Sequence, residues 1–304
     1  MSQNSLPSPP VARKIRTETT LHGTTLTDDY AWLRDKENPE VTAYLEAENA
    51  YADAAMAPLV FPGTVHVEWL HRTATEERLR IWAASADGGR CWTSRRRLDP
   101  GGLTVTFQQD TPQPPIAYMR GQWSVREAAG SRCVVTLKHD YRAARDDPAD
   151  LDWIGNLVDQ VSSGQLAALA RFMEFSGPVP AEADFEVGCP VAEACELAAD
   201  PGLWGGRPEV AHLLSDLRVV SYSRAAGGGG PGQGQVALVS AAATSIRFKE
   251  LRPAPPVTAH TGSWCFAPAD GTRTMVSVRE RFMLAAGTPV AEVSPPVLSL
   301  ASFR

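Results

Sequence analysis

Positive charge is in short supply: 29 Lys and Arg stand against 35 Asp and Glu, a formal net charge of −6 over 304 residues. Binding a phosphate backbone needs a net basic face, so nucleic acid is excluded as the main partner, and a polybasic membrane anchor on the same ground. No apolar run reaches the length that crosses a bilayer. The opening residues MSQNSLPSPPVARK lack the apolar core of a secretion signal, and the cytoplasm is the expected location. The five cysteines, at 91, 133, 189, 195 and 265, are odd in number and never spaced C-x-x-C, which leaves free thiols as the expectation. His66 and His71 have no third ligand at useful spacing, so no metal is expected. The glycines of 227–234 have the wrong spacing for a nucleotide fingerprint and no helix follows them; they read as a loop tip, and no cofactor is expected.

What is present is enough apolar residue, 43%, for two ordinary domains and a tail. Residues 1–60 differ from the rest. Pro7, Pro9 and Pro10 keep the start extended, Tyr30, Trp32 and Leu33 cluster after Asp28 and Asp29, and Asn38-Pro39 opens a helix that Pro58 is expected to stop. From Phe61 the pattern turns to strands, over 65–70, 77–83, 91–98, 103–109, 121–126 and 133–141, with turn signals at 87–89, 99–102 and 129–131. A helix from Pro148 to about Met173 follows, with Ile154, Leu157, Val158, Val161, Leu166, Leu169 and Phe172 on one stripe. Such a helix must bury its stripe against the sheet, and the two surfaces can leave a cavity between them.

Residues 176–180 read as a linker. After it a strand (183–188), a short helix (190–199) and strands over 217–223, 235–240, 245–251, 258–266 and 272–284 suggest a second copy of the same architecture. This copy lacks the long closing helix of the first. The boundaries are 1–60 leader, 61–175 first domain, 181–285 truncated second domain and 286–304 a disordered tail.

Strand alternation sorts the side chains. Trp92, Ser94 and Arg96 share one face of 91–98, and Cys91, Thr93, Arg95 and Arg97 share the other. By composition alone all three arginines fit a half-exposed strand. Val135, Leu137, His139 and Tyr141 share a face of 133–141; His139 is open to two readings, a satisfied core histidine or a titratable group near a cavity mouth. Phe107 and Gln109 fall on one face with Val105, Trp123 lies on the next strand, and Tyr118 sits in the loop PPIAYM, where it could close one end. In the second copy Arg247, Lys249 and Leu251 alternate against Ile246, Phe248 and Glu250, while His260 and Trp264 share a face.

Several stretches occur in a telling order: FPGTVHVEWL, EERLRIWA, WTSRRRLDP, VTFQQDTPQPPIAYMRGQW and TLKHDYRA. Residues 61–173 thereby resemble the aromatase/cyclases of bacterial type II polyketide synthesis. Residues 181–285 resemble the family's second domain through RPEVAHLLSDLRVV, SIRFKELRPAP and TAHTGSW. The resemblance implies an α+β, START-like helix-grip fold: a curved antiparallel sheet around a long helix, in two copies with the second incomplete. It also implies that the first strand and two short helices normally preceding FPGTVHVE are missing, and that the second copy has lost a strand pair before Ser245. Residues 1–60, through LHGTTLTDDYAWLRDKENPEVTAYLEAENAYADA, resemble the leader of the oligopeptidase B branch of prolyl oligopeptidases. No G-x-S-x-G elbow occurs in the chain, so no peptidase activity is carried over.

The polyketide resemblance places a functional arginine at Arg96 and implies regiospecific aldol cyclisation and dehydration of a poly-β-ketone held on an acyl carrier protein, among other synthase components. In that chemistry Arg96 is a fixed donor to an oxyanion, His139 a proton shuttle, and Tyr141 and Ser94 relays. Trp92, Tyr118, Gln109, Phe107 and Trp123 would bind substrate, with His260, Trp264 and Lys249 in a second pocket. Two other readings stand beside this one: a non-catalytic module for hydrophobic ligands, and an inactive chimeric product.

Overall fold

The computed structural model describes residues 10–22, 24–85, 88–130, 132–173, 178–200, 209–224, 232–242 and 244–289. The chain divides into two units, 1–56 and 57–304. The first holds a hairpin of β1 (Thr17–Leu21) and β2 (Thr24–Asp28), a short 3-10 turn over Ala31–Arg34, and most of α1 (Pro39–Val60). The hairpin escapes a hydrophobic-pattern reading because its strands, TETTL and TTLTD, are nearly all polar. Asn38 caps α1 as expected, its Oδ1 accepting from the Glu40 amide at 2.9 Å. Pro58 does not stop the helix but lies in its last turn, which runs on to Val60.

In the second unit, β3 (Thr64–Arg72), β4 (Glu76–Ser85), β5 (Gly88–Asp99), β6 (Thr104–Gln109), β7 (Ile116–Ala128) and β8 (Arg132–Ala143) form a six-stranded antiparallel meander in sequence order. Strand β7 starts at Ile116, earlier than the turn residues suggested, and takes in Tyr118. Helix α2 (Pro148–Phe172), capped by Asp147, lies on one face of this sheet, called here the inner face. Ile154 is fully buried there against Ile116 and Met119. The expected stripe is only partly covered: Val161 is exposed, as are Leu151 and Trp153. The helix meets chiefly β8, at the sheet's margin, so one side of it stays in water.

The second sheet has seven strands: β9 (Val179–Val187), β10 (Glu209–His212), β11 (Leu217–Arg224), β12 (Gly232–Ala242), β13 (Ser245–Glu250), β14 (Val257–Pro268) and β15 (Thr274–Leu284), in the order β10-β11-β12-β13-β14-β15-β9. The strands expected over 217–223 and 235–240 are present as β11 and β12, and β10, which the sequence did not suggest, pairs outside them. Exposed β10 and the polar first residues of β12 have no apolar face for a hydrophobic reading to find. Val179 and Pro180, expected in the linker, open β9, an edge strand where proline is tolerated. Helix α3 (Val191–Ala198) buries Ala194 and Ala198 on the inner face, against Phe248 and Trp264. No long closing helix follows β15 among the described residues; residues 227–231 of the Gly-rich stretch and most of the expected tail fall outside them, while Gly232, Gln233 and Gly234, expected in the loop tip, open β12. Strand β9 covers the free side of β15, whereas β8, its counterpart in the first sheet, pairs only with β7.

The sheets meet by their outer faces. Trp82 and Ala84 of β4 pack with Leu217, Val219, Ala237 and Val239, and the Trp82 indole donates to Asp216 at 2.9 Å. Lys249, on the outer face of β13, donates to the carbonyls of Pro58, Phe61 and Thr64 at 2.5, 2.6 and 3.0 Å. His66 stacks on Trp82 with ring centroids 5.1 Å apart, and its Nε2 has no hydrogen-bond partner. Burial, reinforced by the charge of Arg247, pulls the His66 pKa down to about 3. The unfolded chain binds this proton near pH 6.5 and the folded one does not, so the protein loses stability as pH falls through that window. Between about pH 7 and about pH 5 the loss from this residue is ~2 kcal/mol. Urea unfolding at both pH values, on the natural chain and on His66→Phe, measures it; an equal pH dependence in the two would show that His66 contributes none of it.

Candidate active site

The registers fix which side chains share the inner face of the first sheet. Glu77 pairs with Arg96, Arg96 with Phe107, Phe107 with Gly121 and Gly121 with His139, a single row across five strands. Ser94 pairs with Leu79 and Gln109, and Ile81 with Trp92, on the same face. Trp123 joins it through Val105 and Leu137, and Tyr141 through Met119. Arg96, His139, Tyr141, Trp92, Gln109, Phe107 and Trp123 are thus half-buried on the face that carries α2.

Arg96 differs from its neighbours. Its side chain is 34% exposed against 74% for Arg95 and 76% for Arg97, and its Nη1 lies 3.9 Å from Glu77 Oε2. Glu77, 7% exposed, also receives Arg72 at 3.3 Å, so one carboxylate anchors two guanidinium groups. Glu77 was not singled out in the sequence, although its alternation with Leu79 and Ile81 carries the signal. His139 meets the ring of Phe107 edge-on at 5.4 Å, and its Nδ1 lies 3.4 Å from Ser162 Oγ on α2. Burial holds its pKa below the ordinary value, which keeps the imidazole neutral and able to accept a proton. Ser162 was missed too, since nothing in a helix pattern marks it as facing a histidine. A Cβ on Gly155 would lie 3.1 Å from the Tyr141 hydroxyl, so this glycine lets the phenol approach α2.

Two residues stand elsewhere than expected. The Ser94 hydroxyl is buried and donates to the Gln108 carbonyl at 3.2 Å, a bond to the sheet backbone and not to the pocket. Tyr118 pairs with Arg142 next to a register shift and, being adjacent to the inward Met119, lies on the opposite face. In the second half His260 and Trp264 are buried on the inner face, but Lys249 points the other way, into the contact between the halves.

The outer face of the first sheet carries a groove of about 1020 Å³. It is lined by two cross-strand rows, Glu76–Arg97–Thr106–Gln122–Lys138 and Arg78–Arg95–Gln108–Arg120–Asp140, and by the row between them, Glu77–Arg96–Phe107–Gly121–His139; no α2 residue lines it. Asp110 bridges Arg78 and Arg95 at 2.7 and 2.5 Å. The two outward rows make this groove a salt-bridged surface trough, and the strand segments of the Glu77–His139 row lie between them.

Residues 49–169 match the model of the polyketide cyclase / dehydrase and lipid transport family. The actinorhodin polyketide synthase bifunctional cyclase/dehydratase of Streptomyces coelicolor is 34% identical over 236 residues, which are 69% of this chain and 72% of that one. The chain belongs to the bifunctional polyketide cyclase/dehydratase family. Among solved structures, the cyclase/dehydratase fold here is similar to the di-domain ARO/CYC BexL from the BE-7585A biosynthetic pathway, with a TM-score of 0.67 at 29% identity, covering 79% of this chain and 84% of that one. The helix-grip, α+β architecture expected from the sequence is thereby established, and the chain is an enzyme of the cyclase/dehydratase class.

Its first residues have another relationship. Residues 9–78 match the prolyl oligopeptidase N-terminal beta-propeller domain model. The dipeptidyl aminopeptidase BI of Pseudoxanthomonas mexicana is 55% identical over 53 residues, 17% of this chain but only 7% of that enzyme. Among the described residues no helix is long and apolar enough to cross a membrane.

Proposed function

We propose that this cyclase/dehydratase folds a poly-β-ketone on the inner face of its first sheet, closes one ring by an aldol step and delivers the product for dehydration to an aromatic ring. The intermediate is carried on an acyl carrier protein beside the other components of a type II synthase. The observation that carries this reading is the inner row Glu77–Arg96–Phe107–His139, a fixed cation and a neutral imidazole on one apolar face.

The roles follow from the side chains. His139, neutral through burial, takes a proton from a methylene flanked by two carbonyls. Arg96 stays protonated and cannot act as base; anchored by Glu77, it donates to the acceptor carbonyl as that oxygen becomes an alkoxide. The imidazolium of His139 then returns its proton to the alkoxide. Phe107, Trp92 and Trp123 supply flat apolar surface that holds one fold of a chain able to react in several ways. Tyr141 and Ser162 orient the ends of the row from β8 and α2.

The test is the product profile of a minimal polyketide synthase with and without this chain. The expected result is a shift from a mixture of shunt products to one ring-closed product; an unaltered mixture in the presence of folded protein would refute the cyclase reading and favour a ligand-binding module.

A further inference from the structure

The registers align the two halves strand for strand. In the first, the row Arg96–Phe107–Gly121–His139 crosses β5 to β8; in the second, Leu238–Phe248–Gly262–Glu280 crosses β12 to β15. The shared Phe–Gly step secures the match. A Cβ on Gly121 would lie 2.4 Å from the Phe107 ring, and one on Gly262 2.5 Å from the Phe248 ring. Trp123 and Trp264 correspond as well, paired with Val105 and Ile246.

The chemistry does not correspond. Leu238 stands where the first half has Arg96, and Glu280 where it has His139. One row over, Glu250 and His260 take the places of Gln109 and Met119. His260 lies between two carboxylates, Nδ1 3.2 Å from Glu250 Oε2 and Nε2 3.6 Å from Glu280 Oε2. The rings of Phe248 and Phe282 flank it at 5.2 and 4.3 Å. Burial works against charge on this imidazole, but the carboxylates outweigh it and raise its pKa. Glu280 is 2% exposed, and neither of its oxygens has a hydrogen-bond partner; its contact with His260 is an ion pair too long for a good hydrogen bond. A buried carboxylate short of donors is a standing penalty that a core built for stability alone would shed. The three groups do not converge on a metal position. A neutral ligand carrying a hydroxyl group would supply the missing donor.

We propose that Glu250, His260 and Glu280 form a second active site, which eliminates water from a ring-closed β-hydroxy ketone. This rests on reading the first half as the ring-closing site. Glu280 removes the proton from the carbon beside the carbonyl. The C–O bond breaks as the hydroxyl takes a proton from the His260 imidazolium and leaves as water, and the electron pair of the C–H bond becomes the new C=C bond. Glu280 then holds one proton and His260 has lost one; transfer across their 3.6 Å contact restores the starting state. Glu250 holds the imidazole in place from its other nitrogen. With Leu238 in place of an arginine, this row offers no guanidinium to an enolate, which suits a step where proton and hydroxyl leave together.

The experiment compares the full natural chain, Glu280→Gln and Glu250→Gln in the minimal-synthase assay, each checked for a cooperative melt. Glu280→Gln should keep the ring position but accumulate the product one water heavier, with dehydration slowed about 10²–10⁴-fold. Glu250→Gln should slow it less and move the acidic limb of its pH profile, since it removes one of the carboxylates that keep His260 charged. Aromatic product at the natural rate from folded Glu280→Gln overturns this assignment and leaves the ring-closing site intact. Should that variant fail to melt cooperatively, an unmoved pH profile in Glu250→Gln overturns it instead. A natural chain that does not direct the ring at all refutes the first-half reading, a separate result.

Discussion

Replacing Lys249 by methionine should cost ~2–3 kcal/mol of stability, the largest stability effect expected from any single side chain here. Methionine matches the length of the stem but donates nothing, and it would take the ammonium from the carbonyls of Pro58, Phe61 and Thr64, of which Phe61 keeps the Thr64 amide at 3.1 Å. Each orphaned buried acceptor costs about 1–3 kcal/mol. Part of this is offset, because burial of the cation is itself unfavourable and pushes the Lys249 pKa down to about 7. Against that push stand three carbonyl acceptors, which need three N–H donors that only the ammonium form has; we read the amine as charged. The Pro58 carbonyl belongs to the last turn of α1, where a cation also complements the helix dipole. Urea unfolding followed by tryptophan fluorescence would measure the loss, and a variant within about 0.5 kcal/mol of the natural chain would show that the carbonyls find other donors.

Arg96→Ala should leave the fold standing and abolish ring selectivity. The side chain is a third exposed, so its removal opens no deep cavity, and Glu77 keeps Arg72 as partner. What disappears is the one guanidinium on the inner row opposite Phe107. Loss of a fixed oxyanion donor lowers rates by about 10²–10³-fold, enough for uncatalysed folding of the polyketone to compete. The measurement is the product distribution together with the melting midpoint. A natural distribution from a folded Arg96→Ala chain would move the site away from this row, and Arg95→Ala, whose side chain reaches the outer trough, is the matched control.

The period-two patterns carried most of the fold. Strands β3 to β6 and β8, and helix α2, stood in the sequence because half-buried strands alternate and the turns between them carry Gly, Pro and Asp. The elements that escaped are those without an apolar face: the threonine-rich hairpin β1–β2, exposed β10, and the glycine-interrupted start of β12. The site was legible where alternation sufficed, as for Trp92, Arg96, Phe107, His139 and Tyr141. It failed for Tyr118 because a register shift between Ile116 and Tyr118 breaks the count. Ser94 was on the correct face, yet its bond to Gln108 depends on the neighbouring strand, which no single-strand pattern contains. Lys249 had the appearance of a pocket cation, and only the meeting of the two outer faces gives it its carbonyls. Ser162 and the correspondence of Glu280 with His139 needed the paired registers.

Because the sheets join by their outer faces, with Trp82, Leu217 and Val239 between them, the two inner faces look in opposite directions. The shared contact is an apolar cluster crossed by Lys249. An intermediate worked on by both halves must therefore come out of one, go around the body of the protein through water, and enter the other. The order of events is set outside the fold, by the reach of whatever carries the intermediate and by how fast each pocket lets go.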